Sequence, residues 1–299
     1  MRQEAYFCTV KELDELGKNN IPRQLISHTH LIYSSPATLA FNSPGAEGFG
    51  VKRAGLAVPD SVMLIVSPGC CGRNTSVLSS MRAYQDRFYY LLMDETDIVT
   101  GRHLKKIPKA VAEICEGLKK KPSVVMICIT CVDALLGTDM ERVCHKAEEY
   151  AGVPVRPCYM YALTREGRKP PMVHVRQSVY SLLEPKKKKG NVVNLLGYFS
   201  PLTDDCELYD LLHGAGVKTI HEISRCKDYA QYQTMSEANF NLVLHPEARF
   251  AAEDFHDRLK IPYIELRRLY QIDKIASQYR ALACLLYTSP SPRDRQKSR

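Results

Sequence analysis

The sequence predicts an α/β chain built from two Rossmann-like parallel-sheet domains in series. Short β-branched runs alternate with longer amphipathic segments, the signature of βαβ units. The alternation stops at Glu184-Pro185 and the run Lys186-Lys187-Lys188-Lys189, then restarts. The 299 residues suffice for two units at about 150 residues each.

Residues 61–66 (SVMLIV) form a buried strand stopped by Pro68-Gly69, and residues 92–99 hold a second strand region closed by Gly101. Residues 105–119 form a helix, since Ile107, Ala110, Val111, Ile114, Cys115 and Leu118 recur at helical spacing on one face. Residues 124–129 are another continuous apolar strand. Asp139 opens a helix with Met140, Val143, Cys144, Ala147 and Tyr150 inward, Gly152 closes it, and residues 153–155 begin a strand. After the lysine run come strands at 192–198, 217–222, 240–244 and 262–266, with helices at 206–215, 229–238 and 248–259. The domains are therefore expected at 1–185 and 190–283.

Residues 284–299 are set aside. Cys284 through Asp294 back-translates, with legal codons throughout, into a transposase-end sequencing adapter, so the natural chain is expected to continue differently past Ala283. Removing this tail's four cations and one anion lowers the net charge from +8 to +5, a mild balance. The lysine run lacks interleaved aromatics and reads as a solvated linker rather than a nucleic-acid patch. Neither a secretory h-region nor an apolar stretch near the ~20 residues of a bilayer span is visible, so a cytoplasmic protein with no membrane partner is expected.

Ten cysteines remain once Cys284 is set aside from the 11, and in a reducing compartment they argue for packed thiols and a metal site over disulfides. Cys128 lies inside an apolar strand, and Cys115 and Cys144 on apolar helix faces, so these three read as packing. Cys206 and Cys226 have no partner at a suggestive spacing. Cys70, Cys71 and Cys131 differ, because each follows the exit of a predicted strand, where open parallel sheets bind ligands. A thiol there, near backbone N–H groups, favours the thiolate form that binds iron or zinc. Cys158 is a weaker candidate for the same edge. The spacing Cys128-Ile129-Thr130-Cys131 is formally C-x-x-C, but its first member sits in a strand rather than opening a helix, against a dithiol redox centre. No P-loop, G-x-G-x-x-G, H-E-x-x-H or G-x-S-x-G motif occurs.

The order of motifs resembles the nitrogenase component 1 family, which includes nitrogenase subunits, their cofactor-assembly scaffolds and related reductases. Ser67-Pro68-Gly69-Cys70-Cys71-Gly72 is similar to the family's G-P-x-G-C-G turn, and without a gap its cluster cysteine falls on Cys71. Residues 94–101 resemble the segment before the family's second helix. Ile129-Thr130-Cys131, followed by Leu136-Gly137-Thr138-Asp139, resembles its T-C-(x)-I-G-D-D element, with the cluster cysteine on Cys131. Residues 191–197, Asn241-Leu242-Val243 and Ile261-Pro262-Tyr263 resemble the second domain, and the likeness covers about 24–270.

The resemblance implies a [4Fe–4S] cluster held by Cys71 and Cys131, with Cys70 as alternate. A cubane needs about four thiolates, so a homodimer or paralogous heterodimer would place the cluster between two subunits. It also implies an ATP-dependent iron–sulfur reductase as electron donor. No cysteine occurs between Cys8 and Cys70, where family subunits often carry a third ligand. Leu244 and His245 stand where the catalytic subunit has a cofactor-binding cysteine, which argues against a FeMo-cofactor site. The leading expectation is a redox subunit passing electrons through the cluster to a substrate. The alternatives are a non-catalytic scaffold for metal-cofactor assembly and a structural zinc protein using Cys70, Cys71, Cys128 and Cys131. His213, His221 and His245 read as ordinary surface or core histidines.

Overall fold

A computed structural model describes residues 9–17, 19, 20, 22, 46–69, 84–160 and 169–288. Helices α1 (Val10–Leu16) and α2 (Ala46–Gly55) precede the first sheet. Strands β1 (Val62–Ser67) and β2 (Phe88–Leu92) are followed by helices α3 (Glu95–Thr100) and α4 (His103–Gly117). Strand β3 (Val125–Ile129) leads into α5 (Cys131–Leu136) and α6 (Met140–Ala151), and β4 (Val155–Tyr159) completes the sheet. Helix α7 (Pro171–Tyr180) and an extended passage lead to β5 (Val192–Leu196), α8 (Glu207–Gly214) and β6 (Thr219–His221). The second unit ends with α9 (Tyr229–Gln233), β7 (Phe240–Val243), α10 (Arg249–Leu259), β8 (Tyr263–Glu265) and α11 (Ile272–Thr288).

Both sheets are wholly parallel, and both run in the order second, first, third, fourth: β2-β1-β3-β4 and β6-β5-β7-β8. The chain leaves the first strand of each sheet to one side and returns on the other, so each sheet has a switch point between its two inner strands. Strands β1 and β3 are buried along their whole length, as expected where helices cover both faces of a parallel sheet.

One face of the first sheet (Leu64, Val66, Ile127, Ile129) packs on Ile107 and Val111 of α4 and on Met140 and Ala147 of α6. Its other face (Met63, Ile65, Met126, Cys128) packs on Val51 of α2 and on Val175 and Val179 of α7. That core continues without interruption into the second unit through Leu196, Val243, Ala251 and Phe255. Helix α7 is therefore shared between the units, and the burial of its Val175, Val179 and Tyr180 at about 1.5–3 kcal/mol per side chain helps hold them together. The outer face of the second sheet closes on Leu208 and Leu212 of α8 and on Leu282 of α11.

The structure corrects two sequence expectations. The strand expected over 92–99 is instead the end of β2 followed by α3. Asp94 caps that helix by accepting from the Asp97 amide at 2.6 Å, Glu95 and Asp97 fill its first turn, and Gly101 ends it at φ 64°. The cap and acidic turn outweigh the β-branched Ile98 and Val99. Tyr150, expected inward on α6, is 57% exposed, because Ala147 and Ala151 take the core-facing positions of the last turns. The tail set aside from Cys284 onward is described only to Thr288, where it continues α11.

Candidate functional site

The carboxyl edge of the first sheet is built by β1 and β3, whose register pairs Val66 with Ile129. Carried one step further, that register sets Ser67 level with Thr130, on the sheet face that carries Ile65 and Cys128. Beyond them β1 leaves through Pro68-Gly69, and β3 leaves into Cys131, the first residue of α5. Cys70, Cys71 and the side chain of Cys131 lie outside the described residues. What is placed is the backbone leading to them: two adjacent strands at a switch point, one leaving through Pro68-Gly69 and the other entering α5.

Ser67 and Thr130 are 0% and 1% exposed, and neither hydroxyl has a hydrogen-bond partner among the described residues. A buried hydroxyl left unpaired costs about 1–3 kcal/mol, so two at one edge point to an acceptor there. Cysteines that follow two adjacent strand ends in the sequence, with unpaired buried O–H donors at those ends, make a donor set whose chemistry fits an iron–sulfur group. Among the described residues, no three His, Cys, Asp or Glu side chains gather as a metal site.

Below this edge lies a buried polar relay that the sequence reading missed. His103, at the start of α4, places Nε2 2.9 Å from Asp133 Oδ1 and Nδ1 3.0 Å from the Asp97 carbonyl. A carbonyl only accepts, so Nδ1–H donates to it, and the Nε2–Oδ1 contact is held by one further proton between ring and carboxyl. Asp133 also accepts from Thr138 Oγ1 at 3.2 Å, while its Oδ2 is buried and unpartnered among the described residues. Asp97 is tied by Lys106 at 2.7 Å and Arg102 at 3.2 Å, and the Lys106 hydrogen bond holds its carboxyl below the usual range. The available signal was one acidic residue in the apolar stretch Val132-Asp133-Ala134-Leu135-Leu136, two positions after Cys131.

The switch point of the second sheet faces a cleft between the units. At the end of β5, Gly197 has φ +136°, and a Cβ there would meet the His245 backbone nitrogen at 2.7 Å. The Gly197 carbonyl accepts from Arg176 Nε and Nη2 at 3.1 and 2.7 Å, and the same guanidinium reaches Glu247 at 2.7 Å. The cleft encloses about 610 Å³ and its lining includes Arg53, Arg87, Arg176, Lys227, Asp60 and Tyr198. Four cations against one carboxylate favour an anionic occupant. Arg87, whose proton affinity burial lowers, is anchored by Ser61 O at 2.9 Å and Leu56 O at 2.8 Å at the amino end of the first sheet. His245 adjoins the cleft beside Tyr198, burial lowers its pKa, and its Nδ1 accepts from the Glu247 amide at 3.3 Å. His213 bonds the Val217 carbonyl and His221 lies within β6, both away from the lining.

Cys128 and Cys158 are fully buried, paired across β3 and β4, and Cys158 donates to the Val51 carbonyl at 3.5 Å. The hydrogen bond with Cys128, together with burial, pushes the Cys158 thiol up. Both side chains thus point into the core, Cys158 rather than standing at the carboxyl edge. Burial raises Cys115, raises Cys144 strongly, and raises Cys226 to about 11, the opposite of the shift that favours a ligating thiolate. Cys206 caps α8 without a side-chain hydrogen bond.

The sequence model of the family described as Nitrogenase component 1 type Oxidoreductase matches residues 47–299. The chain is 26% identical over 266 residues to a nitrogenase iron-molybdenum cofactor biosynthesis protein NifE of Rhodobacter capsulatus, covering 84% of this chain and 55% of that one. It is also 26% identical over 265 residues to the NifE protein of Klebsiella pneumoniae, covering 81% and 57%. It thus spans about half the length of the curated relatives it matches. Among solved structures, nitrogenase Cp1 at pH 6.5 superposes with a TM-score of 0.58 at 17% identity, over 78% of this chain and 56% of that one. Nitrogenase Cp1 at pH 5 gives 0.55 at 22% identity, over 78% and 50%. At such identities the structural likeness speaks for the fold alone.

Proposed function

The chain belongs to the nitrogenase component 1 type oxidoreductase family, and on that premise we propose that it is a subunit that holds a metal–sulfur cofactor during assembly and hands it on. The observation that carries this reading is the cation-lined cleft of about 610 Å³ between the two units, a volume suited to a compact anionic cargo. The relatives named as cofactor biosynthesis proteins support assembly over substrate reduction.

In this reading Cys71 and Cys131, with Cys70 as alternate, hold a [4Fe–4S] cluster at the carboxyl edge of the first sheet. A second copy or a paralogous subunit contributes the other two thiolates. The Ser67 and Thr130 hydroxyls, buried and unpartnered among the described residues, would be available as donors to such a group. When bound, the cluster supplies single electrons, and an ATP-dependent iron–sulfur reductase in the cytoplasm delivers them. The six residues of β1, at about 3.3 Å each, separate this edge from the cleft by roughly 20 Å. The cleft's own residues orient the cargo: the Arg176 fork is fixed on Gly197 and Glu247, leaving Arg53 and Lys227 to meet negative charge at the rim.

Transfer tests the reading. Purified iron-loaded protein is incubated with a cofactor-free acceptor of the nitrogenase type, with reductase and ATP present. The expected result is a single stoichiometric release of metal and sulfide to the acceptor, weakened when Arg53 and Lys227 are both changed to Glu. Sustained turnover of electrons into a small substrate without release would instead establish the redox-subunit reading.

A further inference from the structure

We propose that the buried His103–Asp133 pair is a positioning device that sets where Cys131 stands, an inference that rests on Cys131 being a cluster ligand. Helix α5 has only six residues, far below the ~12–15 at which a helix sustains itself in water. Its place must therefore come from tertiary anchors. One is apolar, Val132 packed against the core of the first sheet; the directional one is Asp133, two residues after Cys131 in the same turn, fixed to α4 through His103 at 2.9 Å. His103 is in turn fixed to α3 through the Asp97 carbonyl at 3.0 Å. Lys106 and Arg102 hold Asp97 from the solvent side, and Thr138 closes the far end of α5 on Asp133 through Oγ1 at 3.2 Å and its amide at 3.1 Å.

Both side chains of the pair are 1% exposed or less. A His–Asp hydrogen bond so fully desolvated contributes little net stability compared with apolar packing, but its directionality restricts the geometry. Oriented groups behind a metal ligand typically change metal retention about 10- to 100-fold when removed. The relay thus couples the first turn of α5 to two other helices with a defined direction, which apolar contacts alone would not give.

The test compares His103→Ala, Asp133→Ala and His103→Gln, whose amide keeps a donor near the Nε2 position. Two quantities are read: the rate at which a chelator removes iron from the loaded protein, and the rate of iodoacetamide alkylation of each cysteine in the iron-free protein by peptide mass spectrometry. Both alanine variants should change the Cys131 alkylation rate and speed iron loss by about tenfold or more. Cys144 and Cys158 should stay slow, and His103→Gln should return both readouts to within about threefold of the parent. Unchanged Cys131 alkylation in both alanine variants overturns the proposal, as does acceleration of Cys144 and Cys158 alongside Cys131, which would reveal general loosening. A parent protein that takes up no iron defeats the cofactor-holding reading alone, since the alkylation rates still decide the role of the pair.

Discussion

Arg176 is the most heavily committed cation at the junction of the two units, and replacing it by Met isolates what that junction is worth. Its side chain is 6% exposed and donates to Gly197 O, Met172 O and Glu247, bridging α7, the end of β5 and the turn before α10. Methionine keeps most of the apolar stem and removes the fork. Breaking a buried pair by removing one partner costs about 3–5 kcal/mol. Glu247, at 23% exposure, regains some hydration and pulls the figure to the lower end, whereas the Gly197 carbonyl loses both its guanidinium donors, at about 1 kcal/mol or more. The expected cost is about 3–4 kcal/mol, read as a shift in urea midpoint at constant slope. Arg176→Lys should recover less than half, because an ammonium cannot reproduce the fork. Adding Glu247→Gln to Arg176→Met should recover about 1 kcal/mol by removing the stranded charge. A cost below about 1 kcal/mol, or no recovery in the double variant, would refute the view that this guanidinium ties the units together.

Two further predictions concern neighbouring positions. Gly197→Ala forces a Cβ to 2.7 Å from the His245 nitrogen at φ +136°. Strain and overpacking together should cost about 3 kcal/mol by urea denaturation, and a near-neutral result would contradict the close approach of β5 and β7. His174, edge-on to Tyr159 at 4.3 Å, has its pKa lowered by burial from 6.5 to about 4. Between those values the unfolded chain binds a proton that the folded chain excludes, so stability is full above pH 6.5 and is lost as pH falls toward 4. The contribution is at most about 3.5 kcal/mol; His174→Gln should flatten that acid limb in pH-resolved urea titrations, and an unchanged slope would count against it.

The inner strands were readable because burial on both faces writes a parallel strand as an uninterrupted apolar run, as at Val125–Ile129. Helix α4 was readable from its face, with Ile107, Val111 and Ile114 buried as the spacing implied. The segment 92–99 misled because Ile98 and Val99 suggest a strand while Asp94 and Gly101 set a helix, and local caps prevailed over β-branched content. Helix α7 was not anticipated: polar His174, Arg176 and Ser178 hide its apolar face, and only the second unit packed against it explains why Arg176 and Ser178 are buried. Cys158 shows the same limit, since whether a cysteine at a strand's end points into the core depends on register with a neighbour 30 residues away. The His103–Asp133 pair joins positions 30 residues apart on different helices, and no local pattern announces it. The strand exits that precede Cys70, Cys71 and Cys131 could be named from sequence, because an apolar run broken by Pro68-Gly69 or followed by a helix marks the end of an inner strand.

The most direct test of the central claim is iron and acid-labile sulfide, measured with a visible spectrum on protein purified without oxygen. The account expects a brown protein with about four irons per pair of subunits, lost in Cys71→Ala and in Cys131→Ala while Cys128→Ala keeps its iron. A colourless protein, or one whose iron survives both substitutions, would contradict it.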